Sequence, residues 1–253
     1  MKSLGFGVPK IHAICDKQMI IRVETGVPEP LETFAKWDDG EYFIKEVLSG
    51  CGEGVYPVSL QNGKILADER EIGVDGLRRK IQDLCIVQEK IVQHSEMRRL
   101  NRHSVNTLRL VTAMKEDEPV LISGLVRIGT QASQLDNWSA GGITVGIEIE
   151  DGTLKKYGFR RPEFPERYEH HPVSNVRFEG FAIPLYEDVV ETALEAHKMF
   201  YGIHSIGWDI AIAENGPVFI EGNNHWEIPM MQVHDNRLKE KYMATVPDAL
   251  RRL

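Results

Sequence analysis

Apolar residues run together over Ile206–Ala213, interrupted only by Asp209, and again over Val218–Ile220, which leads into Glu221. Glu214-Asn215-Gly216-Pro217 separates the two runs. Short apolar runs around a Gly/Asn/Pro cluster predict two strands joined by a tight turn. Side chains alternate along a strand, so Glu221 and Asn223 share a face. A two-residue turn at Asn215-Gly216 would pair Asp209 with Gly222 and set the two carboxylates on opposite faces. A three-residue turn, Glu214-Asn215-Gly216 with Gly in the left-handed third position, pairs Asp209 with Glu221. The three-residue turn and a shared face are expected.

The same reading extends along the chain. Turns at Gly5, Gly7, Pro9 and Gly26-Val27-Pro28 surround Ile20-Ile21-Arg22-Val23, and residues 29–37 form a short helix with Leu31, Phe34 and Ala35 on one side. Glu41–Leu60 reads as strand, glycine-rich loop and strand, with Lys45 inside the first strand and Gly50, Gly52 and Gly54 in the loop. A hairpin follows through Asn62-Gly63, then a helix over 73–84 carrying Leu77, Ile81 and Leu84 on one stripe. Cys85–Gln93 is a strand running into a basic connection over 95–105. Asn106–Met114 and Val120–Ile128 are strands, and a polar, glycine-rich loop over 134–148 enters another. Residues 150–180 carry Arg160, Arg161, His170, His171 and Arg177 and read as an exposed lid for an anion or as solvated loop. An amphipathic helix over 186–201 places Val189, Ala193 and Ala196 together, and Lys239–Leu253 closes the chain as a helix. Strands and helices mixed in this way define an α+β protein.

At 253 residues the chain can build one large domain or two small ones. Its net charge of −8 argues against a general nucleic-acid surface or an anionic membrane partner. No apolar run reaches membrane-spanning length, and the first residues lack a signal-peptide core, so a cytoplasmic location is expected. Cys15, Cys51 and Cys85, odd in number and distant in sequence, read as reduced thiols rather than a disulfide framework or a zinc site.

Five features carry candidate chemistry. Asp209, Glu221 and Asn223 are hard oxygen donors of the kind Mg²⁺ takes beside substrate phosphates, although two acids at a solvated sheet edge would look similar. The Gly50–Gly54 loop can turn its N–H groups onto phosphate oxygens, with Lys45 adding a compact positive charge. A hairpin with a flexible tip and a surface Lys fits that stretch equally. Arg109 lies among apolar neighbours on the face of Thr107 and Val111, where it needs an anionic partner; a phosphate is a good one. Asn137 is placed to reach a phosphate or a metal-bound group, or to make a simple Asx turn. The end of the Cys85 strand can meet a flat heterocycle through its backbone, with Ile91 on the ring, or can be plain core.

A strand Lys before a glycine loop, Gln88-Glu89-Lys90-Ile91 at a strand end, a strand Arg, and then Asp209 with Glu221-Gly222-Asn223 resemble, in that order, the ATP-grasp superfamily. Ser104–Thr112, Leu135–Ile143, His171-Pro172 and Gly180–Pro184 resemble its sugar-transfer-associated branch. The resemblance spans roughly residues 5–235. It implies two α+β lobes whose antiparallel sheets clasp ATP. The expected division is a short N-terminal remnant over 1–40, a nucleotide-clasping lobe over 41–92 and a larger lobe over 93–253. Lys45, Gly50, Gly52 and Gly54 would hold phosphates, and Glu89–Ile91 would meet adenine. Gln93 or His94 would reach ribose, and Arg109 would face the γ-phosphate. Asp209, Glu221 and Asn223 would hold Mg²⁺. The implied chemistry joins a small-molecule carboxylate to an amine through an acylphosphate, on a sugar or peptide-like metabolite of polysaccharide assembly. A phosphotransferase or a non-catalytic nucleotide-binding module on the same fold are the alternatives. Two departures stand out: Glu46 follows Lys45 where many relatives have Pro, and the region before residue 40 is short for an acceptor-binding subdomain. A reduced acceptor site, or one completed by a homodimer or a partner chain, follows from the second.

Overall fold

The structure, a computed structural model, describes residues 1–48, 54–130, 141–161, 163–164 and 166–247. The chain divides into two compact units, Pro9–Ile91 and Met1–Val8 with Val92–Leu253.

The Pro9–Ile91 unit is built on eight antiparallel strands: β1 (Ile11–Cys15), β2 (Met19–Arg22), β3 (Pro28–Pro30), β4 (Gly40–Glu46), β5 (Val55–Gln61), β6 (Lys64–Ala67), β7 (Arg70–Glu71) and β8 (Cys85–Glu89). Their order is β3-β2-β1-β8-β4-β5-β6-β7. Strands β1 to β3 therefore belong to this sheet, so residues 9–30 are not a separate N-terminal segment. Periodicity in this stretch is faint because its strands are no longer than five residues. One face buries Ala13, Ile20, Ile44, Val58 and Val87 against the helix α1 (Gly73–Lys80) and a 3-10 turn over Leu31–Lys36. Leu77 and Ile81 are fully buried there as the helical stripe predicts, whereas Leu84 lies beyond the helix and is exposed. Cys15 and Cys85, distant in sequence, oppose each other on β1 and β8 as free, buried thiols. Cys51 lies outside the described residues.

The second unit holds seven antiparallel strands: β9 (Thr107–Lys115), β10 (Glu118–Ile128), β11 (Ile143–Glu148), β12 (Thr153–Phe159), β13 (Arg167–Tyr168), β14 (Ser205–Ala213) and β15 (Gly216–Asn223), in the order β13-β12-β11-β10-β9-β14-β15. The face carrying Leu108, Leu110 and Trp208 packs on α3 (Tyr186–Lys198), whose Val189, Ala193 and Ala196 are fully buried. The opposite face carries Val111, Ala113 and Leu125 and packs on α4 (Ile228–Gln232) and α5 (Leu238–Met243). A short helix, α2 (Ser95–Leu100), leads toward β9. The 150–180 stretch is not an open lid: it supplies β12 and β13, and Phe178 and His171 are buried. No helix among the described residues is long and apolar enough to cross a membrane.

The β14–β15 hairpin departs from expectation in an instructive way. Its turn is Glu214-Asn215, with Ala213 facing Gly216. Gly216 is already in the strand, with φ of 129°, a value that favours glycine. That register alone would not place Asp209 opposite Glu221. A bulge intervenes: Ile210 faces Phe219 while Asp209 faces Glu221, so Ile220 is the inserted residue. The two carboxylates share a face because of the bulge and not because of a three-residue turn.

Candidate active site

Asp209 sits on β14 between Arg109 on β9 and Glu221 on β15, each its direct cross-strand neighbour. Its side chain is 1% exposed, and that of Arg109 only 4%. A charge so placed must be paired. Arg109 closes a bidentate fork: Nε donates to Oδ1, and Nη2 donates to Oδ2 at 2.8 Å. Its Nη1 reaches the carbonyl of Trp226 at 3.5 Å. Trp226 can approach because Gly207 has no side chain; a Cβ there would fall 2.3 Å from the Trp226 Cβ.

Arg127 is a residue the sequence reading did not single out. Its Nη1 lies 3.3 Å from Asp209 Oδ2, and its Nε donates to Thr107 Oγ1 at 3.0 Å. The available signal was the one used for Arg109, a guanidinium inside an apolar strand, Val120–Ile128. Arg127 remains partly open to solvent where Arg109 does not.

The electrostatics follow. Burial works against ionisation of Asp209, but the charge of Arg127 and the hydrogen bonds and charge of Arg109 outweigh it and hold its pKa below the ordinary range. Glu221 moves the other way. Partial burial raises its pKa first, then hydrogen bonding to Asp209 and that carboxylate's charge, with Asn223 and Arg127 in opposition. Asn223 Nδ2 donates to Glu221 Oε1 at 3.1 Å. Glu221 and Asn223 thus present a carboxylate and an amide on one face of the edge strand, a donor set that fits Mg²⁺. Asp209, expected as a third ligand, has both oxygens engaged by guanidinium groups and here serves as the anchor of Arg109 and Arg127.

The remaining candidate residues divide between the units. In the Pro9–Ile91 unit, Lys45 on β4 lies opposite Val55 and Ile86, and Ile86 in turn opposes Ile14. Lys45 is therefore the charged member of an apolar cross-strand row on the face away from α1. Gly54 follows the loop with φ of 68°, whereas Gly50, Gly52 and Asn137 lie outside the described residues. Gln88 faces Phe43, and its buried Oε1 has no partner among the described residues. The side chain of Glu89 accepts from the Lys10 N–H at 2.8 Å, and Lys90 pairs with Glu41 at 2.7 Å. The Lys90 N–H donates to the Glu41 carbonyl at 3.3 Å, so part of the backbone expected to meet adenine is occupied within the sheet. Ile91 ends this unit.

Gln93 belongs to the other unit and is 6% exposed. Its Nε2 donates to the carbonyls of Asn101 at 3.0 Å and Ser104 at 2.7 Å. Its Oε1 accepts from the Asn106 backbone and side chain at 3.0 and 2.9 Å. This amide fastens the connection into β9 and is committed there. The neighbouring His94 caps α2, its Nδ1 accepting from Glu96 N at 3.1 Å. His171, in the same unit, is buried, with Nε2–H donating to the Gly129 carbonyl at 2.8 Å and a lowered pKa, which makes it a neutral structural group.

Two antiparallel sheets with helices packed on them define an α+β protein, and its second unit sets two arginines on a buried acid beside an edge-strand Glu-Gly-Asn. The sequence matches the family model for sugar-transfer associated ATP-grasp over residues 1–245, and the chain belongs to that family. No curated protein matches the sequence. Among solved structures it is similar to the ATP-grasp ligase PsnB, complexed with a phosphomimetic variant of minimal precursor, Mg and ADP, with TM-score 0.45 and 14% identity over 97% of this chain and 55% of that one. It is also similar to the D-alanine-D-alanine ligase from Coxiella burnetii, with TM-score 0.45 and 12% identity over 99% of this chain and 56% of that one. The corresponding ligase from Bacillus anthracis gives TM-score 0.44 and 12% identity over 99% and 64%. The chain spans 55–64% of the length of these proteins.

Proposed function

We propose that this chain is an ATP- and Mg²⁺-dependent ligase that joins a small-molecule carboxylate to an amine, acting on a sugar or peptide-like metabolite of polysaccharide assembly in the cytoplasm. The observation that carries this reading is the convergence of Arg109 and Arg127 on Asp209, with Glu221 and Asn223 on the same face.

In the proposed reaction a carboxylate oxygen attacks the γ-phosphorus of ATP and ADP leaves. The amine nitrogen then attacks the acyl carbon of the resulting acylphosphate, and inorganic phosphate departs with the C–O bond electrons. Such chemistry needs positioning and charge neutralisation more than a protein nucleophile. Arg127, the more accessible guanidinium, faces the transferring phosphoryl group and the acylphosphate. Arg109 supplies a second positive charge, fixed by Asp209. Lys45 and the Gly50–Gly54 loop hold the phosphates of the nucleotide. Glu221 and Asn223 would hold Mg²⁺, which when bound neutralises phosphate charge.

The test is Mg²⁺-dependent ATP binding by calorimetry on the wild type and Glu221→Gln, followed by turnover in hydroxylamine with pooled sugar and amino-acid carboxylates. Binding weakened at least tenfold in the variant, and a hydroxamate formed with ADP, are expected. Equal binding by both proteins would remove the metal assignment. ADP release without hydroxamate would favour phosphoryl transfer to a hydroxyl.

A further inference from the structure

Glu221 and Asn223 face the site, and between them Gly222 faces the other way. On that side lies a cavity of about 290 Å³ lined chiefly by Trp208, Phe219, Phe200, Ile203 and Ile206, with Glu221 and Asn223 at its rim. It lies wholly within the Met1–Val8 and Val92–Leu253 unit.

Gly222 keeps this space open. A Cβ at that position would sit 3.0 Å from Trp208 Cζ3 and 3.2 Å from Cε3, so any side chain would occupy the room beside the indole. The walls are fixed. Trp208 Nε1 donates to Thr112 Oγ1 at 2.9 Å, and Phe219 and Phe200 pack edgewise on the indole with centroids at 5.4 and 5.6 Å. Phe200 and Ile203 at the lip are each 40% exposed, an apolar surface that water covers poorly. β15 is the last strand of its sheet; the N-terminal segment bonds to it at Phe219, through the Gly7 carbonyl at 2.8 Å, and its Met1 and Val8 line the cavity, while Gly222 itself is exposed.

We propose that this cavity binds an apolar group, a single ring or branched alkyl, carried by the substrate whose polar end reacts beside Glu221 and Asn223. The assignment rests on the ligase reading and names the substrate class: an amphipathic molecule that wraps the bare edge at Gly222. The volume decides the size of the group. At about 290 Å³ the cavity has room for one ring or branched alkyl group beside the indole. The cavity also explains the glycine between two polar residues, since a longer side chain there would close it.

The test uses 3-phenylpropionate as the probe and acetate as its control, titrated calorimetrically into the full chain, its Ile203→Glu variant and its Gly222→Val variant. Ile203→Glu sets a charge at the lip, and Gly222→Val fills the space. The wild type is expected to bind 3-phenylpropionate and not acetate, with affinity lowered about tenfold or more in each variant. Equal affinity of wild type and Ile203→Glu, or no binding by the wild type, would overturn the proposal. Ile203→Glu carries the test alone should Gly222→Val fail to fold. A separate Mg-ATP titration of the wild type divides the two failures. Nucleotide binding with no difference between probe affinities removes the cavity assignment alone, and probe discrimination without nucleotide binding removes the ligase reading alone.

Discussion

Removing Arg109 should cost more than removing Arg109 and Asp209 together. In Arg109→Met the bidentate fork disappears, and Asp209, at 0% exposure, keeps only the 3.3 Å contact with Arg127 and its neighbour Glu221. Breaking one side of a buried ion pair strands the other charge, and the loss is about 3–5 kcal/mol. That is a large share of the roughly 5–15 kcal/mol available to a folded domain. In Arg109→Met/Asp209→Leu no buried carboxylate remains. Arg127 keeps its bond to Thr107 Oγ1 and its 14% side-chain exposure, so its charge is not stranded. The double variant should recover all but about 1–2 kcal/mol of the wild-type stability, because replacing a buried pair by apolar groups of similar volume is often neutral.

The assay is urea unfolding at neutral pH, with the coupling energy taken from the double-mutant cycle. The pH dependence supplies an independent sign. In the wild type the lowered pKa of Asp209 contributes stability above its unfolded value, and this is lost as pH falls through the folded one. Without Arg109 two of the causes that hold the folded pKa down are gone, so the loss of stability on acidification should be smaller than in the wild type. A single variant within about 0.5 kcal/mol of wild type, or a double variant whose loss equals the sum of the two single losses, would refute the buried-pair argument.

Three further outcomes follow from other parts of the structure. Gly207→Ala should lower stability by about 1–3 kcal/mol in urea unfolding, since the new methyl would press on Trp226, whose carbonyl touches Arg109. His234 accepts from the Gly146 N–H at 3.1 Å and donates Nε2–H to Thr144 Oγ1 at 2.8 Å; burial, with nearby Lys155, lowers its pKa to about 3. The unfolded chain therefore binds the extra proton first, and the His234 contribution to stability should fall by about 1.4 kcal/mol per pH unit from pH ~6.5 toward ~3, a part of the slope that His234→Gln should remove. Lys45→Ala should weaken calorimetric Mg-ATP affinity at least tenfold; unchanged affinity would remove Lys45 from the nucleotide site.

Much of this fold was legible because long strands declare themselves. Thr107–Lys115, Glu118–Ile128 and Ser205–Ala213 lie close to their predicted bounds, and the face of Arg109 follows from simple alternation. Features that depend on distant pairing were not legible. The thiols of Cys15 and Cys85 meet across β1 and β8, and no local pattern announces a contact made by sheet order. Gln93 looked free to reach a ribose, yet its acceptors and donors all lie at residues 101–106. A glutamine advertises its capacity for hydrogen bonds without naming the partner. Arg127 was missed although it met the same criterion as Arg109.

The shared face of Asp209 and Glu221 shows why a correct expectation can arrive by an incorrect route. Two acids in apolar strands are costly apart from a common partner, and a three-residue turn is one way to bring them together. The chain instead takes a shorter turn and inserts Ile220 into the edge strand. The bulge does what a longer turn would not. It resets the register only beyond Phe219, leaving Phe219 packed on Trp208 on the buried side while Glu221, Gly222 and Asn223 take up a new phase. With a three-residue turn and no bulge, the whole strand would shift and Phe219 would leave the core face, because a one-residue slip exchanges the two faces. The core contact and the polar pair impose opposite phases on one short strand, and an inserted residue between them satisfies both. An edge strand tolerates that insertion because its outer rungs have few partners to lose.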